Sequence, residues 1–130
     1  MTSVFLKIVS NEIPSFKIAE NDNYLAFLDI NPLAEGHTLV IPKKETDNIF
    51  DIEEEEFKGL FLFAKKIAKA IEKVIPCKKV GIIVEGLEVP HAHIHLIPIN
   101  KSYEIDFKKP KLKLTESQFA GIANKIKQAL

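Results

Sequence analysis

The spacing of apolar positions changes several times along the chain, and each change marks an element. From Ser3 to Asn11 the apolar residues Val4, Phe5, Ile8 and Val9 recur at helical intervals, behind a Ser3 suited to an N-cap. Pro14 blocks continuation of that helix. Phe16 to Glu20 and Tyr24 to Asp29 read as strands around Asn21-Asp22-Asn23, which predicts a hairpin. Asn31-Pro32 to Gly36 is a connection, and His37 to Ile41 is a third strand ended by Pro42.

The clearest helix follows. Asp51 is a candidate N-cap with Glu54 as its capping-box partner, and Glu53 to Glu56 suit the positive end of the helix dipole. Phe57, Leu60, Phe61, Ala64, Ile67, Ala68, Ile71 and Ile75 then form one apolar stripe, which reads as core, and Pro76 closes the helix. Val80 to Glu85 predicts a strand, Gly86 to Pro90 a turn, and His91 to Ile99 the next strand. Lys101 to Lys113 is basic and irregular, a solvated connection. Thr115-Glu116-Ser117-Gln118 is a second capping box, opening a terminal helix to about Ala129. Hairpin strands with helices between them predict an α+β fold with a mainly antiparallel sheet. No Gly-rich turn links a strand to a helix, so a dinucleotide-binding doubly wound sheet is excluded.

One strand carries an unusual face. In His91-Ala92-His93-Ile94-His95-Leu96-Ile97, period-2 alternation sets three imidazoles on one side and Ala92, Ile94 and Leu96 on the other. Hydrogen-bonded core or surface histidines are the plain reading of any one of them. Three polar rings that can donate or accept protons near neutral pH point instead to chemistry.

Composition narrows which chemistry. The 130 residues, 46% hydrophobic and 28% charged, are ordinary for one soluble domain, with no apolar run long enough for a membrane span. The N-terminal stretch lacks the plan of a secretion signal. Cys77 is the one cysteine, so no internal disulfide forms, which fits a cytoplasmic protein. The net charge is zero, which gives no general pull toward nucleic acid or anionic membrane. All 18 basic residues are lysine, so a phosphate site here must use backbone N–H groups, Lys or His in place of the guanidinium fork.

Two chemistries remain open. His91 and His93 are spaced to share a metal ion. The α-carbons of His91 and His95 lie about 13 Å apart in an extended strand, which makes a three-histidine site awkward. The alternative is nucleophilic catalysis: a neutral imidazole attacks phosphorus without first losing a proton. His93 is then the nucleophile, with the two flanking rings free to bond phosphoryl oxygens or pass a proton.

The run His91 to Ile97 fits His-φ-His-φ-His-φ-φ, with φ apolar, and so resembles the histidine triad (HIT) family of nucleotide hydrolases and transferases. Phe5-Leu6-Lys7-Ile8-Val9, Glu12-Ile13-Pro14, Leu25 to Ile30 and His37 to Lys43 extend the resemblance, which covers about residues 3–99. It implies one HIT-like domain over 1–130, with about five antiparallel strands and two main helices. Residues 100–130 are then a C-terminal extension ending in a helix.

The resemblance also implies roles. His93 attacks the α-phosphorus of a nucleotide ester, anhydride or phosphoramidate and gives a transient nucleotidyl-histidine that water hydrolyses. His91 and His95 contact phosphate oxygens and assist proton transfer, while His37 sits behind His93 and orients it. Asp29 holds the ribose hydroxyls, and Phe5, Ile8, Ile13, Phe27 and Ile30 form a slot for the base of a purine nucleotide. The third histidine, His95, stands where the transferase branch has Gln, which favours hydrolysis. Ser3 and Leu6 occupy the places of a zinc-binding Cys-x-x-Cys in many relatives, so no metal or other cofactor is expected. Leu87 and Glu88 stand where many relatives bring Gln or Ser toward the phosphate. The implied assembly is a homodimer joined through the sheets and the Asp51–Ile75 helices. The rival readings are a nucleotide-binding regulatory module with little turnover, favoured by Leu87 and Glu88, and a metal-dependent enzyme using His91 and His93.

Overall fold

A computed structural model describes residues 3–130. Met1 and Thr2, part of the stretch read for a secretion signal, lie outside the described residues. The elements run α1 (Val4–Val9), β1 (Lys17–Glu20), β2 (Tyr24–Leu28), β3 (Thr38–Pro42), α2 (Glu54–Val74), β4 (Lys79–Ile83), β5 (Ile94–Ile99) and α3 (Glu116–Gln128). All strands join one antiparallel sheet in the order β1-β2-β3-β5-β4. The predicted α+β architecture is the observed one.

Alternation in the central strands divides the sheet into two faces. Tyr24, Ala26 and Leu28 of β2, Val40 of β3, and Ile94 and Leu96 of β5 point toward α2 and α3. There they meet Leu60, Ala64, Ile67 and Ile71 of α2 and Phe119, Ile122 and Ile126 of α3. Each fully buried side chain of this kind stabilises the fold by about 1.5–3 kcal/mol, so this layer carries most of the stability. The opposite face holds Leu25, Phe27, Leu39 and Ile41 under Phe5 and Ile8 of α1. The helix on this second face is six residues long, and room for a site remains beside it.

Both α1 and α3 begin as their sequences predict. The Ser3 hydroxyl accepts the Leu6 N–H at 3.2 Å, and Thr115 and Gln118 form a complete capping box. The Asp51 capping box does not form. Asp51 instead lies inside a short 3-10 turn, Ile49–Asp51, which Asn48 caps by accepting the Phe50 N–H at 2.9 Å. Ile49 and Ile52 are buried and fasten this turn to the core, so α2 starts at Glu54 with no side-chain cap. Gly59 lets α2 lie against β2: a Cβ at that position would fall 2.1 Å from the Tyr24 hydroxyl, which donates to the Glu56 carbonyl.

The largest departure from expectation falls on the histidine run. β5 begins at Ile94, so His91, Ala92 and His93 precede the ladder. The Ala92 N–H goes to the Thr46 carbonyl at 2.7 Å and the His91 N–H to the Val89 carbonyl at 2.8 Å. This places the segment over the β3–α2 connection, where no strand is available to pair with it. β4 likewise ends at Ile83, before the predicted Glu85.

Candidate active site

Strand register sets which groups meet. β2 and β3 end their ladder at Leu28 opposite Thr38, so Asp29 and His37 face each other one step beyond it. The Asp29 N–H donates to the His37 carbonyl at 3.0 Å. Leu39 is opposite His95, which puts His37 on the diagonal from His95 on the same face. His37 Nε2 lies 3.0 Å from His95 Nδ1. The expectation that His37 sits behind His93 is therefore corrected: its partner is His95, because the register carries His93 too far along.

Hydrogen-bond partners fix the ring tautomers. His37 Nδ1 accepts the Leu33 N–H at 3.0 Å, so Nε2 carries the proton and donates it to His95 Nδ1. His95 Nε2, with no protein partner among the described residues, is then an N–H donor on a ring that lines the cavity. His93 has the opposite arrangement. Its Nδ1 is 2.7 Å from the His91 carbonyl oxygen, which can only accept, so the proton sits on Nδ1. His93 Nε2 is left with a free lone pair.

His91 does not reach the cavity. Its Nε2 donates to the Pro42 carbonyl at 2.8 Å, and its Nδ1 accepts from the Ser3 hydroxyl at 3.1 Å. Both nitrogens are occupied and the residue is fully buried, which corrects the expected contact with phosphate. His91 instead holds the backbone carbonyl that orients His93. Ser3 is fastened in turn by its own N–H, which donates to the Glu45 carboxylate at 3.1 Å.

A cavity of about 410 Å³ opens over these rings. Phe5, Ile8, Ile13 and Phe27 form its apolar end, with Ile30 at the exposed lip. Phe5 meets His93 edge-on at 4.9 Å between ring centres and Phe27 at 5.7 Å, so it is both wall and support. Asp29 lines the middle and accepts the Asn31 N–H at 2.9 Å. All six residues expected to bind nucleotide thus border the same cavity as His93 and His95. Glu85, Leu87 and Glu88 form the opposite rim, where Gly86 takes a φ of +65° that its lack of a Cβ permits.

Burial governs the charges. It pushes His37 down to about 3, helped by the charges of His95 and Lys111, and His95 down to about 4, helped by His93. It lowers His93 and His91 as well, and it raises the Asp29 carboxyl. The four rings are accordingly neutral at pH 7, which a nucleophilic imidazole requires. Asp29, His37 and His95 offer one donor atom each within 4.8 Å of one another, the geometry of a metal cluster. The chemistry does not fit: the His37 nitrogen facing that group carries a proton where a metal needs a lone pair. Moving the proton to Nδ1 would set it against the Leu33 N–H.

Two cavity residues come from a stretch that the sequence presents as solvated linker. Phe107 packs edge-on against His95 at 4.9 Å, and Lys111 borders the same space. The signal available was an aromatic residue inside an otherwise lysine-rich run.

Known proteins are similar to this chain in sequence and in fold. The HIT domain family model matches residues 10–102. An uncharacterized HIT-like protein of Borreliella burgdorferi is 37% identical over 131 residues, covering 95% of this chain and 94% of its own. The adenosine 5'-monophosphoramidase hnt1 of Schizosaccharomyces pombe is 33% identical over 129 residues, covering 97% and 96%. The crystal structure of a Hit-like protein from Bartonella henselae superposes with a TM-score of 0.87 at 33% identity, covering 99% of this chain and 96% of that one. With its paired rings, its cavity and these similarities taken together, the chain belongs to the HIT family.

Proposed function

We propose that this protein is a nucleotide hydrolase acting at the α-phosphorus of nucleoside monophosphate derivatives, with purine phosphoramidates as the substrate class. The observation that carries the reading is the 2.7 Å bond from His93 Nδ1 to the His91 carbonyl, which leaves Nε2 as a neutral nucleophile at the cavity. In the first step the His93 Nε2–P bond forms and the P–N bond breaks. The departing nitrogen leaves as an amine with a proton drawn from solvent, while the neutral His95 ring donates a hydrogen bond from Nε2–H on the leaving side. In the second step water attacks phosphorus, the His93 Nε2–P bond breaks, and the proton lost by the water passes to solvent as His93 is freed. Asp29 takes the ribose hydroxyls, and the apolar end takes the base.

The leaving-group side favours an amine. Glu85 and Glu88 border the cavity there, and a polyphosphate leaving group would meet two carboxylates. The phosphoramidase activity in the name of the similar S. pombe protein supports the same choice. A homodimer is part of this proposal. Among the described residues β4 pairs on one side only, and the apolar side chains of Ile82 on that strand, Leu62 on α2 and Phe50 before it are exposed. Cytoplasmic residence is proposed on the single free cysteine, Cys77. No helix among the described residues is long and apolar enough to cross a membrane.

Single-turnover labelling with an adenosine phosphoramidate tests the reading. A covalent adenylyl adduct in the wild type, absent in His93→Ala, is the expected result. AMP binding with no adduct and no turnover would establish the binding-only module instead, the reading that Leu87 and Glu88 favour.

A further inference from the structure

The anion that this site is proposed to hold needs a counter-charge, and the chain has no arginine to supply it. Of the residues bordering the cavity, three are carboxylates (Asp29, Glu85 and Glu88) and, among the described residues, one is a permanent cation, Lys111. The four histidines are buried and neutral, so they offer hydrogen bonds without net charge. We propose that Lys111 is the phosphate-recruiting cation of this site, delivered by the segment Phe107–Lys111 beyond the part that matches the family model.

The segment is built to hold that ammonium in place. The Lys111 Nζ donates to the Phe107 and Lys109 carbonyls, which uses two of its three N–H groups and directs the third. Both partners are uncharged, and no carboxylate among the described residues forms an ion pair with this ammonium. The Phe107 ring lies against His95, the proposed donor to the leaving group, and also 6.4 Å from His37. The Leu112 N–H fastens the following residue to the Pro32 carbonyl at 2.9 Å, in the loop after Asp29. The segment that carries Lys111 is therefore anchored against His95 at one end and against the loop after Asp29 at the other. Its charge is felt at Asp29 and at His37. The other lysines of this stretch are occupied elsewhere or turned to solvent: Lys109 lies over the Tyr103 ring at 4.7 Å, and Lys108 and Lys113 are exposed.

This inference rests on the nucleotide reading, and the experiment separates the two. Calorimetric affinities for AMP and for adenosine are compared in the wild type, Lys111→Gln and Lys111→Arg. Gln keeps donors for the two carbonyls and removes the charge; Arg keeps the charge. The wild type should bind AMP more tightly than adenosine, and Lys111→Gln should shrink that preference about tenfold while adenosine binding stays constant. Lys111→Arg should retain most of the preference. An unchanged AMP-to-adenosine ratio in Lys111→Gln, or an equal loss for both ligands, would overturn the role and leave Lys111 as a structural staple. A wild type that binds neither ligand would overturn the nucleotide reading along with it. The salt dependence of the wild-type ratio gives a second readout that needs no variant: a preference for AMP that does not weaken between low and high salt also overturns the proposal.

Discussion

His37 Nε2 lies 3.0 Å from His95 Nδ1, and the Leu33 N–H behind His37 gives that bond its direction. His95 is thereby obliged to present a proton at its other nitrogen. His37→Gln should leave nucleotide affinity near the wild-type value and lower kcat by about 10- to 100-fold, the usual effect of removing a partner that orients a working residue. Steady-state kinetics checks this, and a matching rise in KM would contradict it.

Neutral buried histidines make stability depend on pH. His37 and His95 titrate at about 3 and about 4 in the folded protein, against 6.5 for a free side chain. The unfolded chain therefore binds more protons than the fold once the pH drops below that value. Their stabilisation is complete above about pH 6.5 and is lost progressively as the pH falls through the folded values. Asp29, raised by burial, acts in the opposite sense only in the carboxylate range. Melting temperature should fall steadily from about pH 7 to about pH 4.5, and His37→Gln should make that fall shallower.

Ser3 serves two partners with one hydroxyl, the Leu6 N–H and His91 Nδ1. Ser3→Ala removes a helix cap, for about 1 kcal/mol, and strands a buried ring nitrogen, for about 1–3 kcal/mol. Urea denaturation should show the loss as a lower midpoint at constant slope. Ser3→Thr, which keeps the hydroxyl, should recover most of it.

Asp29→Asn should weaken binding of a ribonucleotide by about 1.5–3 kcal/mol, the value of a hydrogen bond to a charged acceptor. The wild type should discriminate against the 2'-deoxy ligand and the variant should not. Calorimetry on both ligands decides the matter; equal wild-type affinities would remove Asp29 from the ribose site.

Glu88→Gln should raise turnover of a dinucleoside polyphosphate relative to an adenosine phosphoramidate, because it relieves repulsion on the leaving-group rim. A competition assay with both substrates reads the ratio directly. No change would mean that Glu88 points away from the reacting groups.

Legibility in the sequence followed the range of the interactions. The α2 stripe, the Ser3 cap and the Thr115 box are local patterns, and the structure repeats them. Residues 29, 37, 93 and 95 were nameable as a set because a family motif carries them, yet the pairing of His37 with His95 depends on register between strands far apart in sequence. His91 shows a second limit. Alternation tells which way a side chain faces, but not whether backbone oxygens or a ligand await it there, and the Pro42 carbonyl claims it. Asp51 lies inside the short turn that Asn48 caps, and α2 starts without a side-chain cap, because two buried isoleucines set where the turn falls. Lys101 to Lys113 reads as linker because its one informative residue, Phe107, finds its partner on another element.

The late start of β5 has a consequence for anyone redesigning this protein. A carbonyl inside a ladder is already spoken for by the neighbouring chain, whereas that of His91 stays available to hold a ring two residues ahead. Idealising the sheet by extending its pairing back through residues 91–93 would take that acceptor away and let the imidazole at 93 turn over. The more regular molecule would be the inert one.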